Sequence, residues 1–154
     1  MCGIVGFVNN KENKEKIIKD MSKKIEHRGP DGEGFYIDDN CALAHRRLAI
    51  IDLNTGAQPI YNEDKSKVII YNGEVYNFKE LKEALLKKKH VFKTKTDTEV
   101  ILHGYEQWGE KLPNHLRGMF SFAIWDKNKN ELFMARDGFG IKPLYYAKFN
   151  DTFM

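Results

Sequence analysis

The 154-residue chain carries only two cysteines, Cys2 and Cys41, and only four prolines. None of its apolar runs approaches the ~20 residues that a membrane span requires. Two cysteines cannot staple a domain of this size as disulfides staple small secreted ones, so stability must come from a hydrophobic core. The N-terminus lacks the basic region and long apolar core of a secretory signal, which points to the cytoplasm. Charge of one sign is lacking too: 25 Lys and Arg against 22 Asp and Glu leave a net charge of +3. That balance gives no footprint for nucleic acid and no polybasic membrane anchor, and it favours a small substrate. The five histidines and two cysteines show no zinc-like pairing, so no metal is expected. "DGFGIK" has glycines but neither the spacing nor the lysine-threonine of a phosphate-binding loop.

What is present suffices for one domain, with 42% hydrophobic and 12% aromatic residues. After an opening β run from Cys2 to Val8, the spacing of Ile17, Ile18, Met21 and Ile25 predicts a helix. "HRGPDGEG" then breaks regular structure. β runs are expected at "GFYI", "CALAH", "RLAII" and "KVIIYNGE", and a helix over "FKELKEALLKKK". A second helix over "TDTEVILHGYEQWG" is capped by Thr96 or Asp97. "MFSFAIWD", "ELFMARD" and "PLYYAKF" return to β structure, with "DKNKNE" as a hairpin turn rather than a calcium loop. The pattern reads as a layered α+β domain over residues 2–154. Its end at "FNDTFM", without a terminating signal, reads as a cut in mid-structure.

Three stretches have two readings each. Cys2 is either a small apolar residue at a strand start or, once Met1 is removed, a thiol next to a free α-amine able to serve as its base. The α-amine titrates at about 7.7 to 8.0 and a thiol at about 8.5, so the pair operates near neutral pH. "YNGE" (71–74) is either an Asn-Gly hairpin turn or an oxyanion hole made of a carboxamide and a glycine N–H. Arg46 and Arg47 in "AHRRLAIID" are either surface and ion-pairing cations or a bidentate grip on a carboxylate. Asp97, likewise, is either a helix cap or a ligand for an ammonium group.

In order, "MCGIVGF", "HRGPDGEG", "LAHRRLAIIDL", "GAQPIYN", "YNGEVYN", "TDTEVI", "LRGMFSFAIWD" and "ARDGFGIKPLYY" run through nearly the whole chain. Together they resemble the class II glutamine amidotransferase domains, most closely the N-terminal glutaminase domain of glutamine-hydrolysing asparagine synthetases. The resemblance implies the four-layer α/β/β/α sandwich of N-terminal nucleophile hydrolases. It implies hydrolysis of L-glutamine to glutamate and ammonia through a Cys2 thioester, with Asn72 and Gly73 as the oxyanion hole. It also implies that Arg47 holds the α-carboxylate, Asp97 takes the α-ammonium, and Leu48, Ala49, Ile50, Ile51 and Glu74 surround the amino-acid end. Ala49 stands where related sequences often carry serine, so a backbone contact there survives and a hydroxyl contact does not. The resemblance implies no cofactor in this chain; ATP and Mg belong to a synthetase domain, absent here, that amidates aspartate. A homodimer is left open. The alternatives are the glutaminase domain of another class II amidotransferase, or a non-catalytic module binding glutamine or a partner domain if Met1 is retained.

Overall fold

The computed structural model describes residues 2–9, 12–48 and 56–154. Its elements run β1 (Gly3–Val8), α1 (Lys14–Lys24), a 3₁₀ turn (Glu26–Arg28), β2 (Gly32–Ile37), β3 (Cys41–Arg47), β4 (Ile60–Tyr61) and β5 (Lys67–Val75). Then follow α2 (Phe78–Lys87), α3 (Asp97–Trp108), a 3₁₀ stretch (Gly109–His115), β6 (Gly118–Asp126), β7 (Glu131–Arg136), β8 (Lys148–Phe149) and β9 (Thr152–Phe153).

Two antiparallel sheets result, one in the order β2-β3-β1-β9-β8 and the other β4-β5-β6-β7. The two-residue period of a strand sends alternate side chains to opposite faces, so each central strand feeds two cores. In β5, Val68 and Ile70 join Cys41, Leu43 and Trp125 between the sheets. Ile69 and Tyr71, from the same strand, face α2 and α3 with Leu85, Ile101 and Phe122. The five-stranded sheet packs its other face on α1, where Phe7, Ala42 and Ala44 enclose Ile18. The layers are therefore helix, sheet, sheet, helix: an α+β four-layer sandwich.

α3 is buried from Thr98 to Tyr105, and its N-cap is Thr96, whose hydroxyl accepts the Glu99 N–H. Asp97 is thus freed from capping. Lys127–Asn130 form the β6–β7 turn, where Asp126 Oδ1 accepts the N–H groups of Asn128 and Lys129. No helix among the described residues is long and apolar enough to cross a membrane. Both cysteines are free. The β1–β3 register pairs Gly3 with Arg46 and Val8 with Cys41, which places the two thiols at opposite ends of the sheet.

Two expectations are corrected and one open alternative is decided. "CALAH" and the start of "RLAII" form one strand through Arg47, because β3 pairs with β1 and β2 along its whole length. "YNGE" is not a turn: Asn72 pairs with Ser121 and Gly73 with Phe120 in mid-ladder. An Asn-Gly step makes a hairpin only when the flanking strand folds back, and here both flanks continue along β6. Of "PLYYAKF", only Lys148 and Phe149 are in a strand; Pro143 supplies no N–H, and Pro143–Tyr145 instead wall a cavity.

Candidate active site

Cys2 directly precedes β1, level with the end of β3, and its Sγ lies 4.0 Å from the Leu48 carbonyl. Arg28 Nη2 donates to the Cys2 carbonyl at 3.5 Å, tying the strand end to the 3₁₀ turn. The "HRGP" segment closes onto β3 next to this point. A Cβ at Gly29 would sit 2.4 Å from the Arg46 carbonyl carbon, so only glycine permits the approach. Pro30 bridges to Arg47, and the Asp31 N–H donates to the Arg47 carbonyl at 3.0 Å.

Half-exposed, Cys2 opens into a cavity of about 270 Å³ walled by Ile4, His27, Arg28, Asn72 and Leu144 among others. Asn72 comes from the opposite sheet. It is 5% exposed, and its carboxamide makes no hydrogen bond among the described residues. A larger concavity of about 950 Å³ lies between the start of α1 and the β2–β3 turn, at the Cys41 end of the sheet. Its lining carries charged side chains but no thiol, so the Cys2 cavity is selected by chemistry rather than by size.

The free edge of β5 next to Asn72 is organised by its backbone. β4 covers β5 only at Val68 and Ile69. Beyond it the Gln58 side chain replaces a strand: the Tyr71 N–H donates to Gln58 Oε1 at 2.6 Å, and Gln58 Nε2 donates to the Tyr71 carbonyl at 3.2 Å. Four residues on, the Val75 N–H donates to Asp97 Oδ2 at 3.0 Å. N–H groups two apart in a strand point to the same side. The Gly73 N–H, between these two, therefore points off the edge rather than toward β6. Gly73 itself is dictated by packing, since a Cβ would lie 2.3 Å from the Met119 carbonyl oxygen and 2.7 Å from Phe120 Cα.

The Tyr71 hydroxyl donates to Asp97 Oδ2 at 2.8 Å, which leaves Oδ1 without a hydrogen bond among the described residues. Burial raises the Tyr71 pKa well above the ordinary range, with further contributions from Asp97, Glu74 and the Cys2 sulfur. One phenol thus senses three of the expected site residues. Arg47 approaches the same corner: a Cβ at Gly56 would lie 3.6 Å from both Arg47 Nη2 and Thr96 Cγ2, placing the guanidinium beside the N-terminus of α3.

Cys2, Arg47, Leu48, Asn72, Gly73, Glu74 and Asp97 therefore cluster where β1, β3, β5 and α3 meet. Ala49, Ile50 and Ile51 lie outside the described residues. Arg46 separates from Arg47, as neighbours on a strand must. Buried at 8% exposure, it donates from Nε to Ser22 Oγ at 2.8 Å and pairs with Glu33 at 2.8 Å, so it anchors α1 and β2. Sequence reasoning missed Tyr71 and Gln58 as supports, although both stand inside quoted motifs; the signal was the strand period through "KVIIYNGE". His45 was missed as well. It is 1% exposed with no hydrogen-bond partner for Nε2 among the described residues, and burial lowers its pKa to about 4, opposed by the Tyr71 backbone and aided by Arg47.

Comparison with known proteins places the chain in a family. The profile described as glutamine amidotransferase domain matches residues 1–154. The chain belongs to the glutamine amidotransferase domain family. It is 47% identical over 156 residues to asparagine synthetase [glutamine-hydrolyzing] 1 of Bacillus subtilis (strain 168), covering 98% of this chain and 25% of that one. Asparagine synthetase [glutamine-hydrolyzing] 2 of the same organism is 50% identical over 153 residues, with 96% and 20% covered. The Zea mays asparagine synthetase [glutamine-hydrolyzing] is 48% identical, with 94% and 25% covered. The chain thus spans a quarter or less of the length of these relatives. A solved glutamine phosphoribosylpyrophosphate amidotransferase of B. subtilis superposes with a TM-score of 0.81 at 21% identity, over 99% of this chain and 41% of that one. That likeness shows that the two share a fold.

Proposed function

We propose that this domain hydrolyses L-glutamine, and the observation that carries the reading is the cavity shared by Cys2 of one sheet and Asn72 of the other. With Met1 removed, the Cys2 α-amine takes the thiol proton and Sγ attacks the carboxamide carbon. The C–N bond of the tetrahedral intermediate breaks, the amine returns its proton to the departing nitrogen, and ammonia leaves a γ-glutamyl thioester. Water attacks the thioester in turn, giving glutamate and restoring the thiol. In both steps the oxyanion sits at the corner where the Asn72 carboxamide meets the outward Gly73 N–H. Arg47 grips the α-carboxylate as a fork, and Asp97 Oδ1, the oxygen left over by Tyr71 and Val75, takes the α-ammonium. Leu48 and Glu74 border that end of the substrate.

Identity of 47–50% to the asparagine synthetases supports a full-length role in which the ammonia passes to an ATP- and Mg-dependent domain that amidates aspartate. Exposed Phe139, Tyr145, Tyr146 and Phe149 would suit docking of such a domain. Two free thiols suit a cytoplasmic setting.

Cys2→Ala is expected to abolish glutamate release. Cys41→Ala, far from the cavity, is expected to keep it. Equal loss in both variants would overturn the assignment. Intact mass of the active protein should lack Met1 and gain one adduct from a reactive glutamine analogue, localised to Cys2. A chain that retains Met1 and releases no glutamate would instead be a binding module.

A further inference from the structure

Away from the glutamine cavity, the structure gathers two histidines that the sequence keeps on different elements. His90 follows α2; His103 and Glu106 stand one turn apart on α3. Their ligand atoms all lie within 4.8 Å of one another. His103 is 1% exposed, and the side chains of His90 and Glu106 are 16% and 19% exposed. The site is sheltered yet reachable from solvent.

The orientation of the rings is the informative feature. His103 Nδ1 lies 2.8 Å and His90 Nδ1 3.6 Å from the same oxygen, Glu106 Oε2. The outer nitrogens face acceptors as well: His90 Nε2 is 3.4 Å from Gln107 Oε1, and His103 Nε2 is 3.7 Å from Glu99 Oε1 and 3.9 Å from Glu63 Oε1. A neutral imidazole carries one N–H and one lone pair. The 2.8 Å contact between His103 Nδ1 and Glu106 is a hydrogen bond in one tautomer; with the proton on Nε2 of each ring instead, two Nδ1 lone pairs and a carboxylate oxygen converge on one point. Such convergence is repulsive unless a cation occupies it. Asn62 Nδ2 donates to Glu106 Oε1 at 2.8 Å, which fixes Oε2 as the inward oxygen. Imidazoles whose outer nitrogens face oxygen atoms, one of them within hydrogen-bond distance, together with a carboxylate oriented by Asn62, match the outer shell of a transition-metal site. The surroundings add negative charge. Three carboxylates, Glu63, Glu99 and Glu106, lie within 4.0 Å of the His103 ring nitrogens. Lys67 is the cation that contributes at Glu106.

We propose that His90, His103 and Glu106 bind a divalent cation of the imidazole-preferring class, zinc in the first instance, with water completing the coordination. The bound ion ties the α2–α3 connection to the helix whose first residue is Asp97. It contributes stability rather than chemistry. The sequence expectation of no metal rested on local spacing, and these ligands belong to no local motif.

Calorimetric titration with zinc chloride, together with native mass spectrometry, tests the proposal in the unmodified chain and in Cys2→Ala, which removes the exposed thiol as a rival ligand. One zinc per chain is expected in both, with a melting temperature that rises with zinc concentration. His90→Ala, a loop change unlike a core substitution, and Glu106→Gln should each remove the site, and Asn62→Ala should weaken it by about 10- to 100-fold. Nuclear magnetic resonance of the unmutated chain reads the same event, as zinc-dependent shifts of the His90 and His103 rings. Absence of saturable binding, unchanged affinity in His90→Ala, or ring signals that respond to pH but not to zinc would each overturn the proposal, the last by showing that a shared proton holds the cluster together.

Discussion

Asn72→Ala separates the chemistry of this site from its architecture. The Asn72 side chain is 5% exposed, lines the Cys2 cavity and makes no hydrogen bond among the described residues. Deleting it orphans no buried partner and enlarges a space that already exists. The cost in folding stability is therefore expected to stay below about 1 kcal/mol. If the carboxamide donates to the oxyanion, the same deletion raises the barrier by about 2.7 to 4 kcal/mol, a loss of about 10² to 10³ in kcat. Gly73→Ala is the contrasting variant. Its Cβ must displace the Met119 carbonyl at 2.3 Å and Phe120 Cα at 2.7 Å, so β5 and β6 separate. Overpacking of that kind costs about 1 to 3 kcal/mol, and it moves the Gly73 N–H as well. Urea denaturation and glutamate release at saturating glutamine should show activity lost in both variants and stability lost only in Gly73→Ala. An Asn72→Ala protein that keeps kcat within about threefold, or loses more than about 2 kcal/mol of stability, would refute the reasoning.

The two arginines should part company under mutation. Arg46→Ala removes buried bonds to Ser22 and should cost about 1.5 to 3 kcal/mol, the half-exposed Glu33 pair adding little, with KM for glutamine unchanged. Arg47→Lys should raise that KM by about tenfold or more through loss of the fork; matching phenotypes in steady-state kinetics and melting would contradict the division. Tyr71→Phe leaves Asp97, among the described residues, with only the Val75 N–H, so KM should rise while kcat holds; a fall in kcat alone would place Tyr71 in the chemistry instead. His45 gives a pH signature. Its folded pKa of about 4 lies below the ordinary imidazole value of about 6.5. Between those values the unfolded chain takes up a proton that the folded chain refuses. Stability present above pH 6.5 therefore falls by about 3 kcal/mol on approaching pH 4. His45→Gln should flatten that part of the denaturation profile, and an unchanged slope would show that other groups set it.

Local patterning foretold most elements, because the apolar period that marks a helix or strand is the pattern that buries its face. α1, α2, α3, β5, β6 and β7 fall where their periods predict them. Failures occur where the deciding partner is distant in sequence. "PLYYAKF" has strand-forming residues, yet Pro143–Tyr145 find no neighbouring strand and serve as cavity wall. His90 and His103 show no short-motif spacing, and only the packing of α2 against α3 brings their rings to 5.3 Å between centroids. The proposal of an oxyanion hole rests on resemblance, because the spacing of "YNGE" alone left a turn equally open.

"YNGE" shows why. The letters favour a hairpin, and a hairpin would give both donors to solvent. Pairing of Tyr71–Val75 with Gly118–Phe122 overrides that local preference. Once the strand is imposed, its alternation assigns each group a direction: the Asn72 side chain enters the space between the sheets, and the Gly73 N–H turns to the edge that β4 leaves uncovered. The same alternation carries the Tyr71 ring to the far face, where its hydroxyl and the Val75 N–H both hold Asp97 Oδ2. One strand thus carries both donor groups of the proposed oxyanion corner and two of the groups that position the proposed ammonium ligand. Any substitution that slips the β5–β6 register by one residue would reverse all of these directions at once.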